Sequence, residues 1–184
     1  GVVDISLADF NNDGWLDICL LVDNASFYET SVFFADTLSG FSLTSPLTRT
    51  LAGYPTRIIQ TDINSDGFID IVANGGSTDS DLTLLMNQTD STFNRIFSTP
   101  MDIQYLSAIA AANVWPGFPY DMQREIIVFG ESVSTYEPTL NIVSADPDGN
   151  LNPLFSQTLL SPLKDLITTD ITSDGHMDIV VCDM

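Results

Sequence analysis

Positive charge is what this sequence most lacks. Five Lys plus Arg stand against 25 Asp plus Glu, for a net charge of -20. Nucleic acid is thereby excluded as a partner, because phosphate binding needs clustered Lys and Arg. An anionic membrane surface is excluded for the same reason. No apolar run approaches the roughly 18 residues of a membrane-spanning helix, so membrane insertion is not expected. The chain opens on Gly1 with no charged segment followed by an apolar stretch. It therefore reads as a mature or excised piece without a visible signal peptide. Two cysteines are too few for a disulfide scaffold, and with one histidine they lie too far apart in sequence for a zinc site. Cys19 and Cys182 each sit in an apolar strand-like run, which predicts buried core thiols, or a disulfide if their strands meet, within one chain or between two. No convincing amphipathic helix is visible, although Ala108–Asn113 has a helix-friendly composition.

What the sequence has is acid in a fixed pattern. Asp9-Phe10-Asn11-Asn12-Asp13-Gly14-Trp15-Leu16-Asp17 recurs as Asp62-Ile63-Asn64-Ser65-Asp66-Gly67-Phe68-Ile69-Asp70. It recurs again as Asp170-Ile171-Thr172-Ser173-Asp174-Gly175-His176-Met177-Asp178. Oxygen-bearing side chains occupy positions one, three, five and nine, and glycine occupies six. Ca²⁺ takes six to eight oxygens, and a loop with alternating oxygen ligands needs glycine where it turns sharply. The pattern predicts three calcium ions, held by Asp9/Asn11/Asp13/Asp17, Asp62/Asn64/Asp66/Asp70 and Asp170/Thr172/Asp174/Asp178. Backbone carbonyls of Trp15, Phe68 and His176 at position seven complete the sets. Thr172 offers a hydroxyl where the other loops have an amide oxygen, so the third site is expected to be the weakest.

Plain Asx-rich turns would not explain the apolar residue at position eight or the Ile that follows each final Asp (Ile18, Ile71, Ile179). An EF-hand needs flanking helices and Glu at position twelve. Here position twelve is Leu20, Ala73 and Val181, and the flanks are β-branched. Dockerin-like loops fail for want of helices, and the Gly-rich nonapeptide of calcium β-rolls is absent. Weak calcium sites belong where calcium is millimolar, which points to an extracellular or cell-surface location.

The repeat is longer than its loop. Asp17 to Asp70 is 53 residues and Asp70 to Asp178 is 108, which predicts a hidden copy at Glu125-Ile126-Ile127-Val128-Phe129. Its loop, Asn113 to Glu125, is four residues longer and has lost the ligand spacing, so no calcium is expected there. Arg124 is a candidate for the missing positive charge.

A period near 54 with short strands predicts one four-stranded unit per repeat. The first unit reads Val2–Ala8, Asp17–Leu21, Ser31–Ala35 and Gly40–Ser45. The second reads Thr56–Thr61, Asp70–Ala73, Leu82–Met86 and Thr92–Ser98. The third reads Tyr105–Ala111, Glu125–Phe129, Thr139–Ser144 and Leu154–Leu159. A half-unit supplies Asp165–Thr169 and Asp178–Cys182. Turns are expected at Ser39-Gly40, Asn74-Gly75-Gly76 and Asp146-Pro147-Asp148-Gly149. The strand after each loop is apolar on both faces and so is buried on both faces. Stacked blades of a β-propeller supply that environment. The expectation is one all-β array of about three and a half blades across residues 1–184, with repeats at about 1–50, 51–100, 101–161 and a partial 162–184.

The three loops and the apolar strands after them resemble the FG-GAP/VCBS repeats of integrin α-subunit propellers and of many secreted proteins. The resemblance spans essentially the whole chain. The Phe-Gly and Gly-Ala-Pro signatures are not clear, which favours the VCBS-like side. It implies structural calcium and a role in adhesion, recognition of protein or glycan, or assembly.

Other candidates are weaker. His176, the only histidine, has no Ser or Cys partner in view for nucleophilic catalysis. A glycosidase-type acid pair would need acids beyond those the calcium pattern accounts for. The sequence thus reads as a non-catalytic module. Asn24-Ala25-Ser26 and Asn87-Gln88-Thr89 are possible glycosylation sites, expected at strand ends or hairpin tips. Phe10, Trp15 and Phe68 are expected to anchor their hairpins rather than to stack on sugars. Three rival roles follow: a glycan-binding lectin, a subunit of an extracellular filament or surface layer, and the propeller of a secreted polysaccharide-degrading enzyme. Partners are then a protein or glycan ligand, or further copies of the chain that complete a ring or stack head to tail.

Overall fold

The computed structural model describes the chain except residues 37–39, 42–44, 52, 76–81, 89–91, 98–102, 115–123, 147 and 184. The described residues are all-β, with no helix. Sixteen strands form: β1 (Val2–Ala8), β2 (Asp17–Asp23), β3 (Tyr28–Phe33), β4 (Ala35–Asp36), β5 (Gly40–Phe41), β6 (Leu47–Leu51), β7 (Ile58–Thr61), β8 (Asp70–Ala73), β9 (Thr83–Asn87), β10 (Phe93–Phe97), β11 (Gln104–Ala112), β12 (Glu125–Glu131), β13 (Pro138–Ala145), β14 (Leu151–Thr158), β15 (Leu163–Thr169) and β16 (Asp178–Asp183). They build three four-stranded antiparallel sheets, β1-β2-β3-β6, β7-β8-β9-β10 and β11-β12-β13-β14, and two two-stranded ones, β15-β16 and β4-β5. The helix-friendly Ala108–Asn113 is strand through Ala112, because its residues pair with the apolar β12.

One assignment is corrected. The fourth strand of the first sheet is Leu47–Leu51, paired with β3, and not Gly40–Ser45. Gly40–Phe41 instead makes a short ladder with Ala35–Asp36. An edge strand with one side wet can be built from Leu-Thr-Arg-Thr-Leu, whose alternation satisfies a half-buried position without a solid apolar run.

Each sheet uses both faces. Ile71, Ala73 and Leu85 of the second sheet pack on Cys19, Leu21 and Val32 of the first. Their neighbours Val72, Leu84 and Met86 point the other way, onto Ile126 and Val128 of the third. Ile127 and Phe129 then meet Leu163, Leu166 and Ile179. The two-residue alternation of a strand thus divides one apolar run between two cores. Each fully buried Leu or Ile contributes about 1.5–3 kcal/mol. The first strands of successive sheets, β1, β7, β11 and β15, lie beside one another.

Polar bonds cross the same boundaries. Asp4 Oδ2 accepts from Ile58 N at 2.9 Å, and Ser6 bonds to Gln60. Asn74, expected in a turn, is buried. Its Oδ1 accepts from Thr56 N and Arg57 N, and its Nδ2 donates to Leu106 O at 2.9 Å. It staples the second sheet to the third.

Gly130 marks a close approach. A Cβ there would lie 2.6 Å from the Gln104 carbonyl oxygen and 3.0 Å from Ile103 Cγ1. Because backbone cannot give way cheaply, Gly130→Ala should destabilise by about 1–3 kcal/mol in urea denaturation. A neutral effect would show that β11 and β12 can separate without cost.

The cysteines are also corrected. Cys19 is buried, its thiol pushed up to about 12 first by burial and then by Asp4, but Cys182 is exposed. They lie in the first and last sheets, and the outer side of the last has no further sheet against it among the described residues.

Candidate metal centres

The loops join the first and second strands of their sheets, and two of them superimpose bond for bond. At position one, Asp9 Oδ1 accepts from Asp13 N at 3.1 Å and Oδ2 from Gly14 N at 2.7 Å. Asp62 does the same for Asp66 N and Gly67 N, at 3.1 and 2.9 Å. At position three, Asn11 Oδ1 accepts from Asp13 N and Asn11 Nδ2 donates to Asp13 Oδ2. Asn64 repeats this with Asp66. At position five, Asp13 Oδ1 accepts from Trp15 N and Asp66 Oδ1 from Phe68 N, both at 2.9 Å. The first three ligand positions therefore converge on one small turn.

The turn needs unusual backbone. Gly14, Gly67 and Gly175 have φ of 90°, 88° and 88°. Position four is left-handed as well, at Asn12, Ser65 and Ser173, with φ of 56°, 59° and 56°. Glycine takes such angles freely. Asn and Ser hold them because the neighbouring carboxylates bind the backbone on either side.

The acid at position nine has a different duty. Asp17 and Asp70 are fully buried. Asp17 Oδ2 accepts from Phe10 N and Oδ1 from Ala35 N, each at 2.8 Å. Asp70 accepts from Ile63 N at 2.9 Å and Asn87 N at 2.8 Å. This acid ties position two of its loop to the last residue of the third strand at Asn87, or to the chain just past it at Ala35. Position two meanwhile sends its side chain into the core: Phe10 and Ile63 are fully buried, and Phe10 meets the Phe93 ring edge-on at 5.9 Å. Burial pushes the Asp70 carboxyl up to about 7; its N–H donors pull it down, and Asp66 and Asp62 push it up further. Asp17 is raised by the same causes, burial first.

The third loop keeps part of this. Asp170 accepts from Asp174 N and Gly175 N, and Asp174 from His176 N. Thr172 has no amide to bridge to Asp174. Its N–H, like that of Ile171, turns to Asp178 Oδ2 at 3.2 Å. Between its half-buried end acids Asp170 and Asp178 the loop is exposed, Ile171 included. The described residues contain no third strand after β16.

The altered loop preserves the frame. Glu125 is buried and its Oε2 accepts from Val114 N at 2.8 Å, the bond that Asp17 and Asp70 make to Phe10 and Ile63. Residues 115–123 lie outside the described residues. Arg124 is exposed.

Among the described residues, no group of three or more His, Cys, Asp or Glu is arranged as a metal-binding cluster. The geometry gives the reason. Only two acids, at positions one and five, gather on the turn, with an amide or hydroxyl at position three, while Asp17 and Asp70 at position nine bind backbone N–H groups away from it. Each carboxylate oxygen keeps a second lone pair, so the donor chemistry suits a hard cation.

Three expectations about nearby residues change. Trp15 is 53% exposed, whereas Phe68 is half-buried and Phe10 is fully buried. His176 is exposed. Asn87 is only 1% exposed, so it offers no hairpin tip for a glycan, while Asn24 is exposed. Asn87 is committed elsewhere: its Nδ2 donates to Phe10 O at 2.7 Å and Ile69 O at 3.0 Å, binding the first two loops together. Asn12 Nδ2 adds a second link, to Gly67 O at 3.0 Å. Sequence reading missed this role of Asn87; the only signal was a polar residue closing the apolar run Leu82–Met86. Asn87→Ala would leave one buried and one partly buried carbonyl without that donor and should cost about 1–3 kcal/mol by chemical denaturation. An unchanged midpoint would mean that other donors reach both carbonyls.

No protein-family model matches the chain, and no curated protein matches it.

Proposed function

We propose that this chain is a calcium-stabilised β-propeller segment of the FG-GAP/VCBS type, a recognition or assembly module of an extracellular or cell-surface protein and not an enzyme. One observation carries the reading: the same hydrogen-bond pattern recurs in the Asp9–Asp17 and Asp62–Asp70 loops, at the same place in successive sheets. Two left-handed residues per loop are held so that carboxylate and amide oxygens gather at one point. A plain turn has no need of so many acids in such proximity, with Lys and Arg nearly absent. A calcium ion at each loop would draw on Asp9, Asn11, Asp13 and Asp17, on Asp62, Asn64, Asp66 and Asp70, and on Asp170, Thr172, Asp174 and Asp178. It would offset the burial, and the smaller repulsion from neighbouring acids, that raise Asp17 and Asp70. Face-to-face sheets with adjacent first strands are consistent with blades around an axis.

The test is a calcium titration followed by amide NMR. The signals of Gly14, Gly67 and Gly175 should move together and saturate by millimolar calcium. If they stay still while the protein is folded, the loops are turns only.

A second reading, self-assembly, is favoured by the outer faces. Ile5 and Leu7 are 57% and 49% exposed beside half-buried Ile18, Leu20 and Val22. By the repeat, Ile18 and Leu20 correspond to Ile71 and Ala73, which the second sheet buries on the first. The opposite end of the stack exposes Ile167 beside half-buried Val180, and Val180 corresponds to Val72, which packs on the following sheet. The two ends are therefore complementary, and copies would join head to tail. Light scattering in calcium should show association at micromolar concentration. A monomer at every concentration would reject this reading and leave the calcium reading standing.

A further inference from the structure

The β2–β3 hairpin, at the far end of β2 from its calcium-type loop, holds a separate pocket of about 370 Å³. Three of its seven lining residues, Phe27, Tyr28 and Tyr54, are aromatic. The Tyr28 and Tyr54 rings stand edge to face, 5.8 Å apart at 76°, so they offer two nearly perpendicular surfaces. Phe27 beside them is 45% exposed and Tyr54 is 64% exposed. Three aromatic side chains thus gather at one concave place with ring surface open to water.

Asp23 supplies charge at the same place. Its Oδ2 accepts the Tyr28 hydroxyl at 3.3 Å and its Oδ1 accepts Ala25 N at 2.7 Å. That second bond holds Ala25 at a φ of 64°, an angle alanine rarely takes, so the hairpin is fixed around the carboxylate. No Lys or Arg lines the pocket. The chain as a whole carries a charge of -20, which concentrates cations near its surface.

Aromatic faces are negative and attract a cation placed over them, and a carboxylate alongside adds a direct charge partner. A neutral sugar would also stack on such rings, but it would want several hydrogen-bonding groups. Here the one carboxylate already accepts two bonds, and the Gly1 ammonium binds the Asp23 backbone carbonyl, while no lining side chain is cationic. We propose that Asp23, Phe27, Tyr28 and Tyr54 form a binding site for an organic ammonium group, either a small trimethylammonium compound or a methylated lysine side chain.

The experiment uses the labelled chain in saturating calcium, so that the loops cannot take up the ligand. Choline, trimethyl-lysine amide, the neutral carbon isostere of choline and methyl glucoside are titrated separately, with amide NMR as readout. Choline and trimethyl-lysine amide should shift Ala25 to Tyr28 and Tyr54 and saturate, and the tighter of the two identifies the source. The neutral isostere should bind at least about tenfold more weakly. Tyr54→Ala and Asp23→Asn should each weaken binding about tenfold. Both should leave the fold intact, because Tyr54 is mostly exposed and Asn keeps the acceptor for Ala25. Tyr54→Phe, which retains the ring, should bind as the parent does. Equal binding of choline and its isostere, shifts confined to other residues, or saturation by methyl glucoside alone would overturn the proposal. Because calcium is present throughout, a chain that never binds calcium would still give a clear answer here.

Discussion

Removing calcium should lower the melting temperature by roughly 8–16 °C. If each loop binds with a Kd of about 0.1 mM, then about 1 mM calcium adds roughly 1.4 kcal/mol per site. Three sites give about 4 kcal/mol, a large share of a typical stability of about 5–15 kcal/mol. For a chain of this size, each kcal/mol moves the midpoint by about 2–4 °C. The structure adds how the loss should be distributed. The first two loops are joined to the cores through Phe10 and Ile63 and to each other through Asn87 and Asn12. Their loss should propagate into the boundary between the first two sheets. The third loop is exposed and touches no following sheet, so its ion should contribute least. Asp66→Ala should remove about one site's share in calcium and little in chelator, whereas Asp174→Ala should cost less. Scanning calorimetry with and without EDTA measures all of this. Coincident curves would show that the loops hold their shape without an ion.

The second large effect is on pH. In the calcium-free protein, burial raises Asp70 from the usual 3.8 to about 7. A carboxyl raised in the folded state binds a proton there that the unfolded chain releases. Its stabilising contribution is present at acid pH and is lost as pH rises through the folded-state value near 7. In chelator, stability should therefore rise on going from pH 7 to pH 5, by roughly 2 kcal/mol from this group. Asp17 acts in the same direction, because it too is raised. Asp146 stays out of this window: donors from Asn150, first its side chain, hold it below the usual 3.8, so its contribution is already complete at pH 5. Calcium reverses the sign. An ion beside Asp70 favours the ionised carboxylate, so in calcium stability should fall on acidification as protons displace the ion. Urea midpoints at pH 5 and pH 7, with and without calcium, give the four values. Stability that falls toward pH 5 in both conditions would show Asp70 ionised throughout.

Much of the architecture was legible because it repeats. The apolar strand after each loop gave β2, β8, β12 and β16 to within two residues, and the spacing placed Glu125 in the frame although its loop had lost the acids. Glu125 keeps the bond to Val114 that the frame requires. What failed to show was decided by tertiary contact. β6 is a polar-alternating edge whose place depends on β3, while Phe41 offered a more apolar but wrong partner. Asn74 and Asn87 look like turn and glycosylation residues in sequence. Their buried roles depend on carbonyls of other sheets, Leu106 and Phe10, far away along the chain. In the loops, the pattern named the acids but not their division of labour. Positions one, three and five gather on the turn, and position nine holds backbone.

Stability, pH response and assembly all depend on calcium in the loops, and the number of bound ions decides whether it is there. Equilibrium dialysis of the folded chain against millimolar calcium should give about three ions per chain. Asp13→Ala, Asp66→Ala and Asp174→Ala should each remove one, and Asp148→Ala, an acid outside the loops, should remove none. A chain that retains no calcium, or the same calcium in all four variants, would contradict calcium binding by the loops.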